Sequence, residues 1–386
     1  MLILKVNNET RGQTLLSFVI MSEDLLYQIA LKKLEGIGPS RAKKLISYCG
    51  GVKEVFEASK SQLAKIPSIG EMVIANINKV EALKFAEAEV RYLEKTDIRP
   101  IFFLDKAYPN RLKHCDDGPL LLYTKGEMNL NNEKIVSIVG TRNATEYGKK
   151  VCERLIEGLT LHNPLIVSGL ALGIDVIAHK AALNNGLQTV GVLGNSLETV
   201  YPPLNRSVAE KMKTNGGLIS EFESGTKPDR ENFPQRNRIV AGMADVTIVI
   251  ESAVKGGSMI TAKLAADYNR DVMAFPGPVA APYSGGCNFL IKSQQAHLIE
   301  GIKDLEYTMG WEVESKVKKG AQRQLFVELT TEEKQLYDLI EKLEKESVDN
   351  ISLSVGMPVS KTSFILLEME FKGVVKSLPG KVYCLA

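Results

Sequence analysis

Residues 134–142 read Lys134-Ile-Val-Ser-Ile-Val-Gly140-Thr-Arg142, and residues 165–175 read Leu165-Ile-Val-Ser168-Gly169-Leu-Ala-Leu-Gly173-Ile-Asp175. Each is a short apolar run that stops at a glycine followed by small or charged residues. A strand that is apolar at every position, rather than at alternate ones, must be buried on both faces. The same texture recurs at Thr189–Gly194, Gly217–Glu221, Val246–Ile250 and Val272–Phe275, with amphipathic stretches of helical period between the runs. Alternating strand and helix implies right-handed βαβ crossovers, so the expected fold class is α/β with a doubly wound parallel sheet.

Outward from this core the texture changes. Residues 22 to about 95 carry apolar positions every three or four residues and lack β-branched runs, as in an all-helical domain. Within them, Leu34-Glu-Gly36-Ile-Gly38-Pro-Ser-Arg41 and Leu63-Ala-Lys-Ile-Pro-Ser-Ile-Gly70-Glu repeat one pattern, an apolar residue, a glycine turn and a short helix. The pair resembles a double helix-hairpin-helix, or SAM-like, unit. Residues 312–330 form an expected charged linker with Lys316, Lys318, Lys319 and Arg323. Three helical stretches and a Pro379-Gly380 turn between two β runs then resemble a winged-helix module. The expected division is 1–21 unstructured, with the functional start at Met21; 22–110 helical; 111–311 sheet core; 312–330 linker; and 331–386 winged helix.

Composition narrows the class of function. The 386 residues hold 48 Lys+Arg against 46 Asp+Glu, a formal charge of +2, so affinity for a polyanion has to come from local clustering. There is no run of 18 apolar residues, and Lys5, Asn7, Asn8, Glu9 and Arg11 interrupt the first twenty positions, so no membrane association and a cytoplasmic location are expected. Cys49, Cys115, Cys152, Cys287 and Cys384 contain no C-x-x-C, and His114, His162, His179 and His297 sit at no metal-ligand spacing. No metal is expected.

Ligands of an open parallel sheet lie outside the carboxyl ends of its strands. Three strand-to-helix turns there are rich in glycine and hydroxyl residues: Gly140-Thr-Arg142, Ser168-Gly169 through Asp175, and Glu251-Ser-Ala-Val-Lys255-Gly256-Gly257-Ser258. Such turns leave helix N-terminal amides free for an anion, and a cation beside them is unfavourable unless an anion joins it. Arg142 and Lys255 are therefore expected phosphate ligands. A fourth segment, Glu231-Asn-Phe233-Pro-Gln-Arg236-Asn237-Arg238, carries groups suited to phosphate and base contacts, although two arginines two apart on a helix cannot both face one groove. Phe233, Phe275 and Tyr283 are candidate stacking surfaces, each equally explained as core. Asp175 and His179 are expected to brace a helix start and to pack. Glu221 and Glu251 stand at strand ends, but no nucleophile with an orienting base accompanies them, so no catalytic residue is expected. The turns contain no Walker A pattern and no G-x-G-x-x-G follows the first strand, so no nucleotide cofactor is expected either.

Ser137-Ile-Val-Gly-Thr-Arg142, Ser168 to Asp175 with Ala178-His179, Tyr201-Pro-Pro-Leu-Asn205, Glu231 to Gly242, Lys255-Gly-Gly-Ser-Met-Ile-Thr-Ala262 and Phe275-Pro-Gly277 occur in this order. Together they resemble the signatures of the DprA (Smf) family of DNA processing proteins. The resemblance implies a Rossmann-like core that binds single-stranded DNA in natural transformation, protects incoming DNA, dimerises and helps load the RecA recombinase. It implies that Arg142, Lys255 and the amides of Gly256, Gly257 and Ser258 hold the DNA backbone, with Arg236, Asn237 and Arg238 lining the same pocket; Gly140, Ser168 and Gly169 from the turns, and Phe233 as a stacking surface, complete the expected DNA-binding residues. The family more often has Lys-Ser-Gly-Ser where this chain has Lys255-Gly256-Gly257-Ser258. Two alternatives stand beside this reading. A nucleotide phosphoribohydrolase shares the Gly-Gly-Ser-x-x-Thr turn but needs a glutamate after it, which is missing here. A winged-helix duplex-DNA regulator would read through Val359 to Phe371, where Glu368 and Glu370 accompany Lys361.

Overall fold

A nine-stranded sheet carries the apolar runs found in the sequence. The structure, a computed structural model, describes residues 24–67, 69–311, 329–343, 345–378 and 381–385. The chain divides into two units, residues 1–313 and 314–386.

The first unit opens with a helical layer: α1 (24–33), α2 (Pro39–Cys49), α3 (Val52–Glu57), α4 (Lys60–Leu63), α5 (Glu71–Asn76) and α6 (Lys79–Leu93). The two repeats fold alike. Gly38 and Gly70 are the N-caps of α2 and α5, and Leu34, Ile37, Leu45, Ile66 and Ile69 are buried beneath the turns. Pro39 suits the first helical turn, where its missing N–H costs no hydrogen bond.

The sheet region follows: β1 (Arg99–Phe102), α7 (Asn110–Lys113), β2 (Leu121–Glu127), β3 (Ile135–Val139), α8 (Glu146–Leu159), β4 (Leu165–Ser168), α9 (Ile174–Asn184), β5 (Thr189–Leu193), α10 (Arg206–Met212) and β6 (Gly216–Ser220). It continues with α11 (Asn232–Met243), β7 (Val246–Val249), α12 (Gly257–Asp267), β8 (Asp271–Ala274), α13 (Gly285–Lys292), β9 (His297–Leu298) and α14 (Ile302–Met309). The strand order is β1-β2-β6-β5-β4-β3-β7-β8-β9, and every pairing from β6 to β9 is parallel. The chain steps outward from β3 through β4, β5 and β6, then returns through α11 to β7 on the other side of β3. That reversal makes the carboxyl end of β3 the switch point of the sheet, where a ligand crevice opens.

Along β3, Val136 and Ile138 pack with Cys152, Leu155 and Ile156 of α8 and with Ala178 of α9. Ile135 and Val139 point the other way, into the layer of Ile239, Val240 and Met243 of α11 and Ala262 of α12. Both faces are thus covered by apolar side chains, the physical reason the strands read as unbroken apolar runs.

Beyond the expected parallel strands, β2 pairs antiparallel with β6, and β1 antiparallel with β2. The sheet therefore begins at Arg99, inside the segment expected to end the helical domain at residue 110. β1 contains Pro100, which cannot donate to a ladder and is tolerated on an edge strand. β2 ends in Lys125-Gly-Glu127, which breaks its apolar pattern. The core is continuous from the helical layer into the sheet, since Ile29, Leu45 and Ala86 belong to one apolar cluster with Phe102, Tyr123 and Leu193. Ion pairs add to this seam. Lys32 lies 2.9 Å from Glu223, Lys33 pairs with the same carboxylate, and the Ser224 amide donates to Glu89 at 3.0 Å.

The second unit contains α15 (Thr331–Leu343), β10 (Lys345–Ser347), α16 (Val348–Val355), α17 (Val359–Phe371), β11 (Val375–Leu378) and β12 (Val382–Leu385). Three helices close on Leu336, Ile340, Ile351, Leu366 and Met369, and the hairpin β11–β12 forms the wing. β10 adds a third strand, paired with β12, that its polar Lys-Glu-Ser sequence does not announce. The expected start (1–21), most of the expected linker (312–328) and the Pro379-Gly380 turn lie outside the described residues. Among the described residues no helix is long and apolar enough to cross a membrane.

Candidate functional site

A cleft of about 700 Å³ opens at the switch point, lined by the turns after β3, β4 and β7 and by the first turns of α11 and α12. The turns are tied together through their backbones. The Thr141 amide donates to the Glu251 carbonyl at 2.7 Å, and the Ile174 amide, at the start of α9, donates to the Thr141 carbonyl at 3.1 Å. Thr145 is the N-cap of α8, its hydroxyl accepting from the Gly148 amide at 3.2 Å. Gly256 caps α12 without a side chain. No protein hydrogen bond to the amides of Gly257 and Ser258 is seen among the described residues, so the α12 N-terminus faces the cleft with donors to spare.

Of the expected site residues, the fold gathers Gly140, Arg142, Gly169, Phe233, Arg236, Asn237, Gly256, Gly257 and Ser258 around this one cleft. Three others lie elsewhere. Ser168 is fully buried in β4, its hydroxyl donating to the Ile138 carbonyl at 2.6 Å, so it ties two strands together and does not line the cleft. Arg238 points to the opposite side of α11, where it pairs with the buried Glu221 and donates to the Asp117 carbonyl. Lys255 is exposed on the turn before α12 but is not among the residues lining the cleft. The two-residue spacing already forbade Arg236 and Arg238 from sharing a face; what the sequence left open was which one turns inward.

Arg236 turns inward, but it is a framework group as much as a wall of the cleft. Its guanidinium is buried and donates to the carbonyls of Gly169 and Val192, at the ends of β4 and β5. A Cβ on residue 169 would stand 2.6 Å from that guanidinium, so only glycine allows the approach. Burial lowers the Arg236 pKa to about 10, against the pull of Asp175 and with a further push from Arg142. It remains charged near neutrality. Asn237 accepts from the Arg236 Nε at 3.2 Å.

Beneath the cleft, burial raises the Asp175 pKa while Arg236 opposes the rise, and the Asp175 carboxylate accepts from the Ala171 amide at 3.4 Å, bracing the start of α9. His179 is wholly buried, and burial followed by the nearby Arg236 lowers its pKa to about 3. The Thr189 hydroxyl donates to the Ile166 carbonyl at 3.1 Å and stands 2.7 Å from the His179 Nδ1, which assigns the imidazole proton to Nδ1. Neither residue is exposed enough to act as an acid or base on a ligand.

The stacking candidates separate. Phe275 is buried in the core against Ile250 and Met273 and offers no surface. Phe233 has two cations against its ring, the Arg142 guanidinium 5.7 Å and the Arg236 guanidinium 5.9 Å from its centre. Tyr201, 47 % exposed, stacks on it at 5.9 Å with the ring planes 30° apart. Tyr283 is half-buried and accepts at its hydroxyl from the Asn143 side chain at 3.1 Å. Tyr201 and Arg230, which also line the cleft, were not singled out from the sequence. Arg230 directly precedes the Glu231–Arg238 segment, and Tyr201 belongs to the Tyr-Pro-Pro signature, so both were on view without a reason to join them.

The cleft therefore offers free helix-start amides, an exposed arginine, a buried arginine and an aromatic plate, and Asp175, the single carboxylate lining it among the described residues, is buried. With the helical hairpins and the winged helix, this defines a three-part protein with a Rossmann-like core, whose crevice is lined by arginines and helix-start amides. The chain matches the family model of DNA recombination-mediator protein A over residues 99–310, the DprA winged helix domain over 323–381 and the SAM-like helix-hairpin-helix tandem over 29–78. It belongs to the DprA (Smf) family.

Similar proteins include protein Smf of Escherichia coli (strain K12), 32% identical over 307 residues, which are 77% of this chain and 80% of the relative. The DNA processing protein DprA of Streptococcus pneumoniae is 39% identical over 202 residues, 52% of this chain and 71% of that one. Its X-ray structure superposes with a TM-score of 0.63 at 32% identity, covering 73% of this chain and 97% of that chain. The DNA processing protein A of Helicobacter pylori, whose structure concerns a single-stranded DNA binding mode, superposes with a TM-score of 0.51 at 32% identity, covering 55% of this chain and 96% of that chain.

Proposed function

We propose that this chain binds single-stranded DNA without sequence preference in the switch-point cleft, protects incoming DNA in natural transformation and hands it to the RecA recombinase, acting as a homodimer and not as a catalyst. The observation that carries the reading is the convergence of Arg142, the free Gly257 and Ser258 amides and the Phe233–Tyr201 plate on one cleft. Amides and a cation suit a phosphate, and an aromatic face accepts any base. A single strand can bend its backbone into such a crevice, whereas a rigid duplex cannot. The relative from Helicobacter pylori, studied for its single-stranded DNA binding mode, supports the same substrate class.

The rival readings find less support. A phosphoribohydrolase needs a carboxylate free to act at the ligand. Glu251 is occupied by Thr145, and Asp175 is buried against Arg236 and the start of α9. In the winged helix, the exposed side of α17 presents Phe364, Leu367 and Phe371, while Lys361 is paired with Glu332 and Lys372 with Glu333. That face suits protein better than duplex phosphates.

Fluorescence anisotropy of the full chain with labelled single-strand and duplex oligonucleotides, across a salt series, tests the proposal. Tighter single-strand binding that falls with salt and ignores sequence supports it, and equal affinity for both forms overturns it. Faster RecA assembly on the bound strand is expected in the same setting.

A further inference from the structure

The turn that carries Arg142 is pinned from one neighbouring residue. Glu251 follows β7 and is buried, 5 % exposed. Its main-chain carbonyl accepts from the Thr141 amide at 2.7 Å. Its carboxylate accepts from the Thr145 amide at 2.9 Å and from the Thr145 hydroxyl at 2.6 Å. Arg142 thus lies within a loop whose two ends are both tied to Glu251, while Arg142 itself is exposed. α8 makes room for this contact. A Cβ on Gly148 would stand 2.1 Å from the Glu251 carboxylate, so the helix's first turn closes directly over it. The next residue, Ser252, serves the other turn, its hydroxyl accepting from the Ser258 hydroxyl at 2.8 Å at the start of α12.

We infer that Glu251 is a positioning residue for strand binding: it holds Arg142 at the distance from the α12 amides at which both meet one stretch of phosphate backbone. The inference rests on the proposed binding in this cleft. It has an unusual sign. A buried carboxylate near a phosphate site repels the ligand, so electrostatics alone makes Glu251→Gln bind single-stranded DNA more tightly. Positioning makes it bind more weakly, because glutamine keeps one acceptor oxygen, for the Thr145 amide, but sets its NH₂ against the Thr145 hydroxyl, so one of the two ties is lost and the loop loosens.

The test is a double-mutant cycle in the full chain, read as single-strand affinity and its salt slope. Glu251→Gln is expected to weaken binding about tenfold, of the order of one charge-assisted contact, and to flatten the negative slope of log K against log salt by about 0.7. In an Arg142→Ala background the same change is expected to cause no further loss, since the loss acts through Arg142 and only the relief of repulsion remains. Thr145→Val, a milder change at the exposed end of the contact, is expected to reproduce the loss, and Thr145→Ser, which keeps both bonds, to restore affinity. Unchanged or tighter binding by Glu251→Gln, with Arg142→Ala still harmful, overturns the inference and leaves the cleft reading intact. An additive loss in the double variant overturns it too. If Arg142→Ala itself costs nothing, it is the cleft reading that fails.

Discussion

Replacing Arg236 by methionine separates a framework cation from a ligand. The side chain keeps an unbranched apolar stem and loses the guanidinium with its charge and donors. Two buried carbonyls, those of Gly169 and Val192, are then left without their partner. Each buried group stranded in this way costs about 1–3 kcal/mol, so the loss is about 2–6 kcal/mol. Against it stands the relief of a buried charge. The fall of the Arg236 pKa to about 10 means that the fold disfavours the charged form, by about 3 kcal/mol at 1.36 kcal/mol per unit. Taking the middle of that range, the net expectation is about 1 kcal/mol of lost stability. Asp175 loses the cation that opposes its raised pKa and moves further up. The chain's one tryptophan, Trp311, lies in the first unit, its ring centre 6.0 Å from that of His162, so its fluorescence in urea reports on this unit directly. With a slope of about 3 kcal/mol/M the midpoint should fall by about 0.3 M. An unchanged midpoint accompanied by a tenfold loss of single-strand affinity would refute the reasoning, because Arg236 would then be spending its donors on the strand and not on the sheet.

Arg142→Ala should leave that midpoint unchanged and weaken single-strand binding about ten- to a hundredfold, whereas Lys255→Ala, outside the cleft wall, should cost less than about threefold; a salt series by anisotropy compares them. Phe233→Ala removes the plate between Arg142 and Tyr201 and should weaken binding by about 1–3 kcal/mol, equally for oligo-dT and mixed sequences, as measured by competition. Burial alone would raise the Glu223 pKa, but Lys32 and Lys33 outweigh it and lower it to about 2. Because the folded value lies below the unfolded one, this carboxylate stabilises the fold above about pH 4.5 and that contribution, up to about 3 kcal/mol, is lost as pH falls toward 2. Glu223→Gln should therefore flatten the acid limb of a stability-versus-pH curve taken by urea titration; an unaltered limb counts against the ion pairs.

The parallel strands and the position of the cleft could be read from the sequence because both follow from local rules. Burial on both faces makes a strand apolar throughout, and glycine after a strand marks the ligand edge. What could not be read depended on partners distant in sequence. β1 and β2 look like loop and helix flank until β6 is there to pair with β2, and β2 in turn with β1. Arg236 and Arg238 are chemically alike, and only the carbonyls of Gly169 and Val192 on one side and Glu221 on the other decide their directions. Ser168 looked like a ligand because it precedes a glycine, yet its hydroxyl is consumed by the neighbouring strand. Glu251 looked like a spare carboxylate because Thr145, which occupies it, is more than a hundred residues away.

The apolar cluster that runs unbroken from Ile29 in α1 to Leu290 in α13 bears on how the first unit unfolds. A helical module on a tether would melt by its own transition, at a temperature set by its own small core. Here Ile29, Leu31 and Leu45 have no core apart from the one they share with Phe102, Tyr123 and Leu193, and the strand that begins at Arg99 extends the sheet directly out of the helical layer. Helical hairpins and crevice therefore stand or fall in one cooperative step. A lineage could not trade this helical layer for another without re-cutting the hydrophobic surface beneath the sheet.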